Sequence, residues 1–318
     1  MTSSSTDTPH LLLCGAYSQA DMDALAARYV VHRWWEVEDR ADFLATYARR
    51  IGAIATRGDL GASGELIAAL PALEIIACFG VGVDAIDLGA ARQRGIHVTT
   101  TPDVLTGDVA DLALGLALGL LRQIPAGDAH VRSGAWERGP LGLARRLHGK
   151  RIGLVGLGRV GSAVARRFGG FDGEIGYFDL AARADSAHRF FPVLAELAAW
   201  SDVLILTAAG GDSTRGLVDA QVLRALGTEG YLVNVSRGSI VHEPDLLQAL
   251  ESRAIAGAAL DVFWNEPMID ARFRALDNVL LQPHAASGTV ETRAAMGQLV
   301  RDNLEAHFAG RSLLTPLI

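Results

Sequence analysis

The chain is poor in the residues that several large protein classes require. It has two cysteines, Cys14 and Cys78, each at the end of an apolar stretch. Neither a disulfide framework nor a cysteine-based zinc site can be built from them, no metal site is expected, and a reducing, cytoplasmic setting fits. Basic residues are outnumbered: 29 Lys and Arg face 36 Asp and Glu, for a net charge of −7. That balance argues against non-specific nucleic-acid binding, which needs a basic surface. No apolar run is long enough to span a bilayer. The longest, "LALGLALGLL" at 112–121, is about half a span, follows Asp108 and Asp111, and reads as a buried helix, so no membrane partner is expected. The opening "MTSSSTDTPH" has neither positive charge nor an apolar centre; it reads as a disordered lead-in rather than a signal peptide.

Half of the residues are hydrophobic, and Ala, Leu, Val and Gly dominate, as in layered α/β proteins. A length of 318 residues is comfortable for two domains. Short β-type runs alternate with helical stretches, which implies parallel sheets covered by helices. The first series is "LLLCG" (11–15), "YVVHRWW" (29–35), "IGAIAT" (51–56), "LEIIAC" (73–78) and "IHVTT" (96–100). Residues 103–133 read as helical and 136–149 as a connection. The second series is "RIGLVG" (151–156), "EIGYFD" (174–179), "DVLILT" (202–207), "YLVNV" (231–235), "AGAALDV" (256–262) and "NVLLQ" (278–282). A last helix should place Met296, Leu299, Val300, Leu304 and Phe308 on one face, with Thr289 capping its start and Gly310 its end.

"RIGLVGLGRVGSAVARRF" (151–168) is a strand, then Gly156-x-Gly158-x-x-Gly161, then a helix, the context a dinucleotide loop requires. Gly156 permits the tight turn, Gly158 lets the backbone approach a pyrophosphate, and Gly161 lets helix and strand pack closely. The helix N-terminus adds unpaired N–H groups and partial positive charge. Eighteen residues beyond Gly161 the next strand ends at Asp179, placed to accept hydrogen bonds from an adenosine ribose and to repel a 2′-phosphate. NAD is therefore favoured over NADP, although Arg183, just past the strand, is suited to a 2′-phosphate.

Three later strands each run into an unusual polar group: "YLVNVSRGSI" into Arg237, "ALDVFWNEP" into Glu266, and "LLQPH" into His284. Ligands of such sheets bind beyond the carboxyl ends of the strands. A guanidinium, a carboxylate and an imidazole there suit the reduction of a 2-oxo acid. His284 would protonate the developing alkoxide, Glu266 would orient and charge the ring, and Arg237 would grip the substrate carboxylate and polarise the ketone.

With these pieces assembled, the sequence resembles the D-isomer-specific 2-hydroxyacid dehydrogenases. The matching stretches are "GVGVDAID" (80–87), "VADLALGL" (109–116), "GKRIGLVGLGRVG" (149–161), "NVSRGSIV" (234–241), "ALDVFWNEP" (259–267) and "PHAASGT" (283–289). Within that family it is most similar to the bacterial glyoxylate/hydroxypyruvate reductase group. The resemblance implies two doubly wound α/β domains, a Rossmann cofactor domain (102–286) inserted in a flavodoxin-like substrate domain (1–101 and 287–318). It implies Arg237, Glu266 and His284 as the catalytic set, with Arg237 and His284 also touching substrate. Backbone N–H groups of Val81 and Gly82 would bind the substrate carboxylate. Thr106, Val235, Ser236 and Arg237 would lie near the cofactor, Asp261 would bind its carboxamide, and Leu157, Arg159 and Val160 would meet the pyrophosphate with the three glycines. It implies a homodimer joined through the cofactor domains. Loops around Thr56–Gly58, Val81–Val83 and Trp136 would shape the substrate pocket.

One departure is Trp264, where the family often has an acidic residue; the sequence leaves open whether the ring narrows the site or covers a surface. Formate dehydrogenases pair the histidine with glutamine, and Glu266 argues against them. The alternative is a dinucleotide-sensing interaction protein of the same fold, which retains the same three residues but shows no significant turnover.

Overall fold

The computed structural model describes residues 8–318; residues 1–7 of the lead-in read at 1–10 lie outside them, and its last residue, His10, already begins the first strand. The chain divides into two compact units, one running to Leu105 and resuming at Thr289–Ile318, the other Thr106–Gly288. In unit 1 the elements are β1 (His10–Leu13), α1 (Gln19–Ala26), β2 (Val30–Arg33), α2 (Arg40–Tyr47), β3 (Ile51–Arg57), α3 (Gly64–Ala69), β4 (Ile75–Phe79), α4 (Leu88–Gln93) and β5 (His97–Thr99). Unit 2 contributes α5 (Thr106–Leu121), α6 (Ile124–Arg132), β6 (Arg151–Val155), α7 (Arg159–Phe168), β7 (Glu174–Phe178), β8 (Arg189–Phe190), α8 (Leu194–Trp200), β9 (Val203–Leu206), α9 (Ala220–Leu226), β10 (Tyr231–Asn234), α10 (Glu243–Glu251), β11 (Gly257–Leu260) and β12 (Val279–Leu281). The chain then returns to unit 1 as α11 (Val290–Phe308).

Both sheets are wholly parallel in their named strands. Unit 1 has the order β2-β1-β3-β4-β5, the flavodoxin-like winding. Unit 2 has the order β12-β11-β10-β9-β6-β7-β8, the winding of a Rossmann sheet with one added edge strand. Strands buried on both faces explain the runs without polar alternation: every residue of β4, β9 and β11 is buried. Each unit has its own core, built around Leu12, Ile54, Ile67 and Ile76 in unit 1 and around Leu204, Leu232, Leu250 and Phe273 in unit 2. Full burial of each such side chain contributes about 1.5–3 kcal/mol.

Several boundaries differ from the sequence reading for local reasons. "YVVHRWW" is a strand only to Arg33, and Trp34–Glu36 turns into a 3-10 helix with Arg40 stacked 4.5 Å over the Trp34 ring. The helical stretch 103–133 breaks into α5 and α6, bent by 57°, at Gln123, whose φ of 54° is left-handed. Among the described residues no single helix is long and apolar enough to cross a membrane. The two-residue β8 is too short to carry a periodic signal.

The last helix runs as its pattern indicates. The Thr289 hydroxyl accepts the Thr292 N–H, and Gly310 follows the end with a φ of 64°. Its inward face holds Met296, Val300 and Leu304, together with two polar residues, Thr292 and Asn303. Asn303 bonds Leu314, Thr315 and the Leu299 carbonyl, so its amide is satisfied. The buried Asp21 carboxylate pairs with Arg301 and tethers α1 to α11.

A Cβ at Gly297 would lie 2.3 Å from Asp21 Oδ1. Gly297→Ala should therefore destabilise unit 1 by about 1–3 kcal/mol, because a buried, paired carboxylate has no free space to enter. Denaturant melts of the variant check this; unchanged stability would show that the carboxylate shifts freely.

Candidate active site

Parallel winding brings the carboxyl ends of β6, β7 and β9–β12 to one edge of unit 2. The glycine loop lies in the β6–α7 turn. Gly156 has a φ of 93°, and a Cβ there would meet Ala208 Cα at 2.8 Å. A Cβ on Gly161 would meet the Gly156 carbonyl oxygen at 2.2 Å, the close helix-to-strand approach the third glycine serves. A Cβ on Gly158 would meet nothing within 4 Å, so space lies open over the loop backbone. Among the described residues the Gly158 and Val160 N–H groups have no acceptor. An open, donor-rich turn at a helix N-terminus fits a pyrophosphate.

Asp179 ends the next strand. Its Oδ2 accepts the Leu157 N–H at 2.9 Å and its Oδ1 the Leu180 N–H at 2.8 Å, so the carboxylate is pinned to the glycine loop. Arg183 turns back over the same residue: Nη1 donates to the Leu157 carbonyl at 2.6 Å, and Nε and Nη2 bind Asp185 at 3.1 and 2.7 Å. Its charge is thus already answered by a neighbouring carboxylate.

The structure brings Arg237, Glu266 and His284 to the ends of three adjacent strands, β10, β11 and β12. His284 Nδ1 and Glu266 Oε2 are 2.6 Å apart. Glu266 Oε1 accepts the Phe263 N–H at 2.8 Å. Burial works to raise the Glu266 pKa. The His284 hydrogen bond, the Phe263 N–H and the charges of His284 and Arg237 outweigh it, leaving the carboxyl below its ordinary value. Arg237 follows β10, the strand beside β11, and its Nη1 donates to the Ser236 carbonyl at 2.6 Å.

The backbone holding His284 is unusual. Its φ is 52°, a left-handed conformation that a side chain with a Cβ adopts only under constraint. The constraint is Asp261, which is fully buried. Its carbonyl accepts the His284 N–H at 2.8 Å, and its carboxylate oxygens accept the Ala285 and Ala286 N–H groups at 2.7 and 3.0 Å. Burial raises the Asp261 pKa and the two N–H donors oppose that.

Sequence reasoning assigned no task to two further residues. Asn234 Nδ2 donates to the Arg237 carbonyl and its Oδ1 accepts the Ser236 N–H, which shapes the turn carrying Arg237. Glu243 Oε2 accepts the Trp264 N–H at 3.0 Å, which holds the loop carrying Glu266. No local pattern marks either residue, because each acts on backbone far along the chain or across a turn. Trp264 donates its indole N–H to the Val241 carbonyl at 2.8 Å and packs edge-on against His242, so its ring covers the start of α10. Gly238, directly after Arg237, touches the same loop, since a Cβ there would lie 2.1 Å from the Phe263 carbonyl.

In unit 1, Thr56 is buried and its hydroxyl donates to the Gly61 carbonyl, so it turns inward while Arg57 is exposed. The Gly80 N–H and carbonyl are both bonded to Thr101. Beyond that anchor the Val81 and Gly82 N–H groups have no acceptor among the described residues.

A glycine turn with an acid at the next strand end, in a sheet of this winding, defines a dinucleotide-binding α/β protein. A family model described as "D-isomer specific 2-hydroxyacid dehydrogenase, NAD binding domain" matches residues 114–286. The glyoxylate/hydroxypyruvate reductase A of Arabidopsis thaliana is 44% identical over 308 residues, 97% of this chain and 98% of that protein. A solved 2-hydroxyacid dehydrogenase from Ketogulonicigenium vulgare is 51% identical with a TM-score of 0.93, covering 98% of both chains. An NADPH-dependent glyoxylate/hydroxypyruvate reductase from Sinorhizobium meliloti, solved with NADP and malonate, is 42% identical with a TM-score of 0.92, covering 98% of this chain and 97% of that one. The chain belongs to the D-isomer-specific 2-hydroxyacid dehydrogenase family. It is an NAD(P)-dependent oxidoreductase, and the sensor alternative finds no support among these relatives.

Because the Glu266 pKa is lower in the folded chain than its ordinary value of 4.5, its ionisation adds stability that is complete above that value. The contribution is lost as pH falls through the lower folded pKa. Glu266→Gln should flatten the fall in melting temperature between about pH 6 and about pH 3. Thermal melts across that range check this, and an unaltered slope would contradict the linkage.

Proposed function

We propose that this chain reduces a small 2-oxo acid such as glyoxylate or hydroxypyruvate to the D-2-hydroxy acid. The proton comes from His284, and the arrangement that carries this reading is the Glu266–His284 pair with the Arg237 charge beside it. The nicotinamide, when bound, supplies the hydride. His284 Nδ1 is engaged by Glu266, which leaves Nε2 as the nitrogen that gives a proton to the developing alkoxide. The Glu266 carboxylate stabilises the imidazolium and fixes its plane. Arg237 offers a planar fork to the substrate carboxylate and polarises the ketone. Val81 and Gly82 receive that carboxylate through N–H groups that have no other acceptor among the described residues. Unit 1 is thus the substrate domain and unit 2 the cofactor domain.

On the cofactor, Gly156, Leu157, Gly158, Arg159, Val160 and Gly161 would hold the pyrophosphate. Val235, Ser236 and Arg237 line the nicotinamide side, Thr106 lies near its ring, and Asp261 meets its carboxamide. NAD is the favoured form. Asp179 is anchored by two N–H groups where a 2′-phosphate would sit, and Arg183 is already paired with Asp185. NADP is the second reading, favoured by the same Arg183 and by the NADPH-dependent relative. The working unit is a homodimer in the cytoplasm. Ile124, Val131, Trp136 and Leu143 expose apolar area in a single stretch of unit 2, which suits a partner surface.

A steady-state panel of glyoxylate, hydroxypyruvate and phenylpyruvate with NADH and NADPH tests the reading; no turnover with any of them would end it. His284→Asn should lower kcat by about 10²–10⁴-fold while the Kd for NADH stays within about twofold. A comparable loss of cofactor affinity would count against a proton donor. Asp179→Ala should cut the preference for NADH over NADPH by about tenfold in kcat/KM, roughly one lost charge-assisted interaction. A wild-type enzyme that already prefers NADPH would reverse the cofactor assignment.

A further inference from the structure

Arg293 lies in the first turn of α11, within unit 1. Its guanidinium carbon sits 5.6 Å from the centroid of the Phe79 ring. Phe79 ends β4, two residues before Val81, and is itself buried. Tyr17 also packs on Phe79, at 4.8 Å between ring centroids, and is fixed by donating its hydroxyl to the Thr56 carbonyl at 2.8 Å.

Several other arginines of unit 1 have partners. Arg28 and Arg311 pair with Glu305, Arg57 with Asp59, and Arg301 with Asp21, while Arg94 donates to the carbonyls of Ile67, Leu70 and Pro71. Among the described residues, the Arg293 side chain makes neither a hydrogen bond nor an ion pair. It is nevertheless half-buried. Burial first, and then the charge of Arg57, press its pKa below the ordinary guanidinium range, with Asp59 acting in the opposite direction.

A purely structural role accounts for this poorly. The stem of an arginine can cover an aromatic ring, but an apolar side chain would do so without partly desolvating a charge. Arg293 lies against Phe79, two residues before Val81 and Gly82, whose N–H groups have no acceptor among the described residues. Those N–H groups offer hydrogen bonds without formal charge. A monoanion would satisfy both.

We propose that Arg293 is a substrate-binding residue that supplies unit 1 with the formal positive charge for the carboxylate of a monoanionic 2-oxo acid. This rests on the reductase reading and adds to it a second cation, distinct from Arg237, on the other unit. Arg293 acts on binding rather than on the chemical step. It lowers KM for the acid, leaves the cofactor site untouched, and makes substrate affinity fall as salt screens it.

The test uses Arg293→Met, which keeps an apolar stem against Phe79, and Arg293→Lys, which restores the charge. Each is assayed in the full-length enzyme with glyoxylate, and with oxamate as an unreactive monoanionic inhibitor. Arg293→Met should raise the KM for glyoxylate and the Ki for oxamate together by about 10–100-fold, the order expected for a charge-assisted contact. kcat and the KM for the cofactor should stay within about threefold, and Arg293→Lys should recover most of the loss. The salt dependence of KM should flatten in Arg293→Met. The proposal is overturned if KM and Ki stay within twofold of wild type, if the loss falls on kcat alone, or if the lysine is as impaired as the methionine. Should Arg293→Met fold poorly, the lysine variant decides by itself, since a melting temperature like wild type with KM and Ki both raised more than tenfold rules out charge as the cause. Arg237→Met is run alongside. If it matches wild type in both turnover and oxamate binding, the reductase site itself is misassigned, a failure separate from any result at Arg293.

Discussion

In the proposed reaction, everything that unit 2 contributes depends on keeping one imidazole in one orientation. The 2.6 Å contact between His284 Nδ1 and Glu266 Oε2 joins residues eighteen positions apart, carried by loops that follow neighbouring strands. Neither loop would hold that geometry unaided. His284 sits in a left-handed backbone conformation, which costs of order 1–3 kcal/mol for a residue with a side chain. Asp261 offsets it by accepting three successive N–H groups, those of His284, Ala285 and Ala286. On the opposite flank, Glu243 and the Trp264 indole tie down the Glu266 loop, and Gly238 lets that loop press directly on the turn bearing Arg237. The three polar groups are therefore mechanically one assembly, built mostly from backbone hydrogen bonds to buried carboxylates.

That construction explains which parts were readable from sequence. Parallel strands buried on both faces appear as unbroken apolar runs, so β4, β9 and β11 announced themselves, and their alternation with helices implied parallel sheets, while the winding was implied by the family resemblance. Arg237, Glu266 and His284 were visible because a charged group just beyond such a run is conspicuous. Asp261 was visible only as part of a family motif; its bonds to the two N–H groups after His284 join positions about 24 apart, and no short pattern encodes them. Asn234 and Glu243 are similar cases, polar residues whose partners are backbone atoms. The break at Trp34 arises from local conformation overriding composition, whereas the break at Gln123 has a cause in the sequence, since Pro125 has no N–H to donate to the Leu121 carbonyl and fits only the first turn of a new helix.

The acidic residue at the end of β7 shows how little of a cofactor site is charge alone. Asp179 carries a negative charge towards the place a ribose would occupy, yet each of its oxygens already holds a backbone N–H. Such a carboxylate is fixed before any ligand arrives, so in the proposed NAD-favouring site its repulsion of a 2′-phosphate would not be relieved by swinging away. Arg183 is held just as firmly, by Asp185 and the Leu157 carbonyl, and to serve a phosphate it would have to surrender those bonds. Two adjacent, opposite charges thus differ in what each can offer: the carboxylate acts where it stands, whereas the guanidinium must first be freed. That asymmetry, more than the presence of an acid or a base in the sequence, is the physical ground for expecting discrimination at this position.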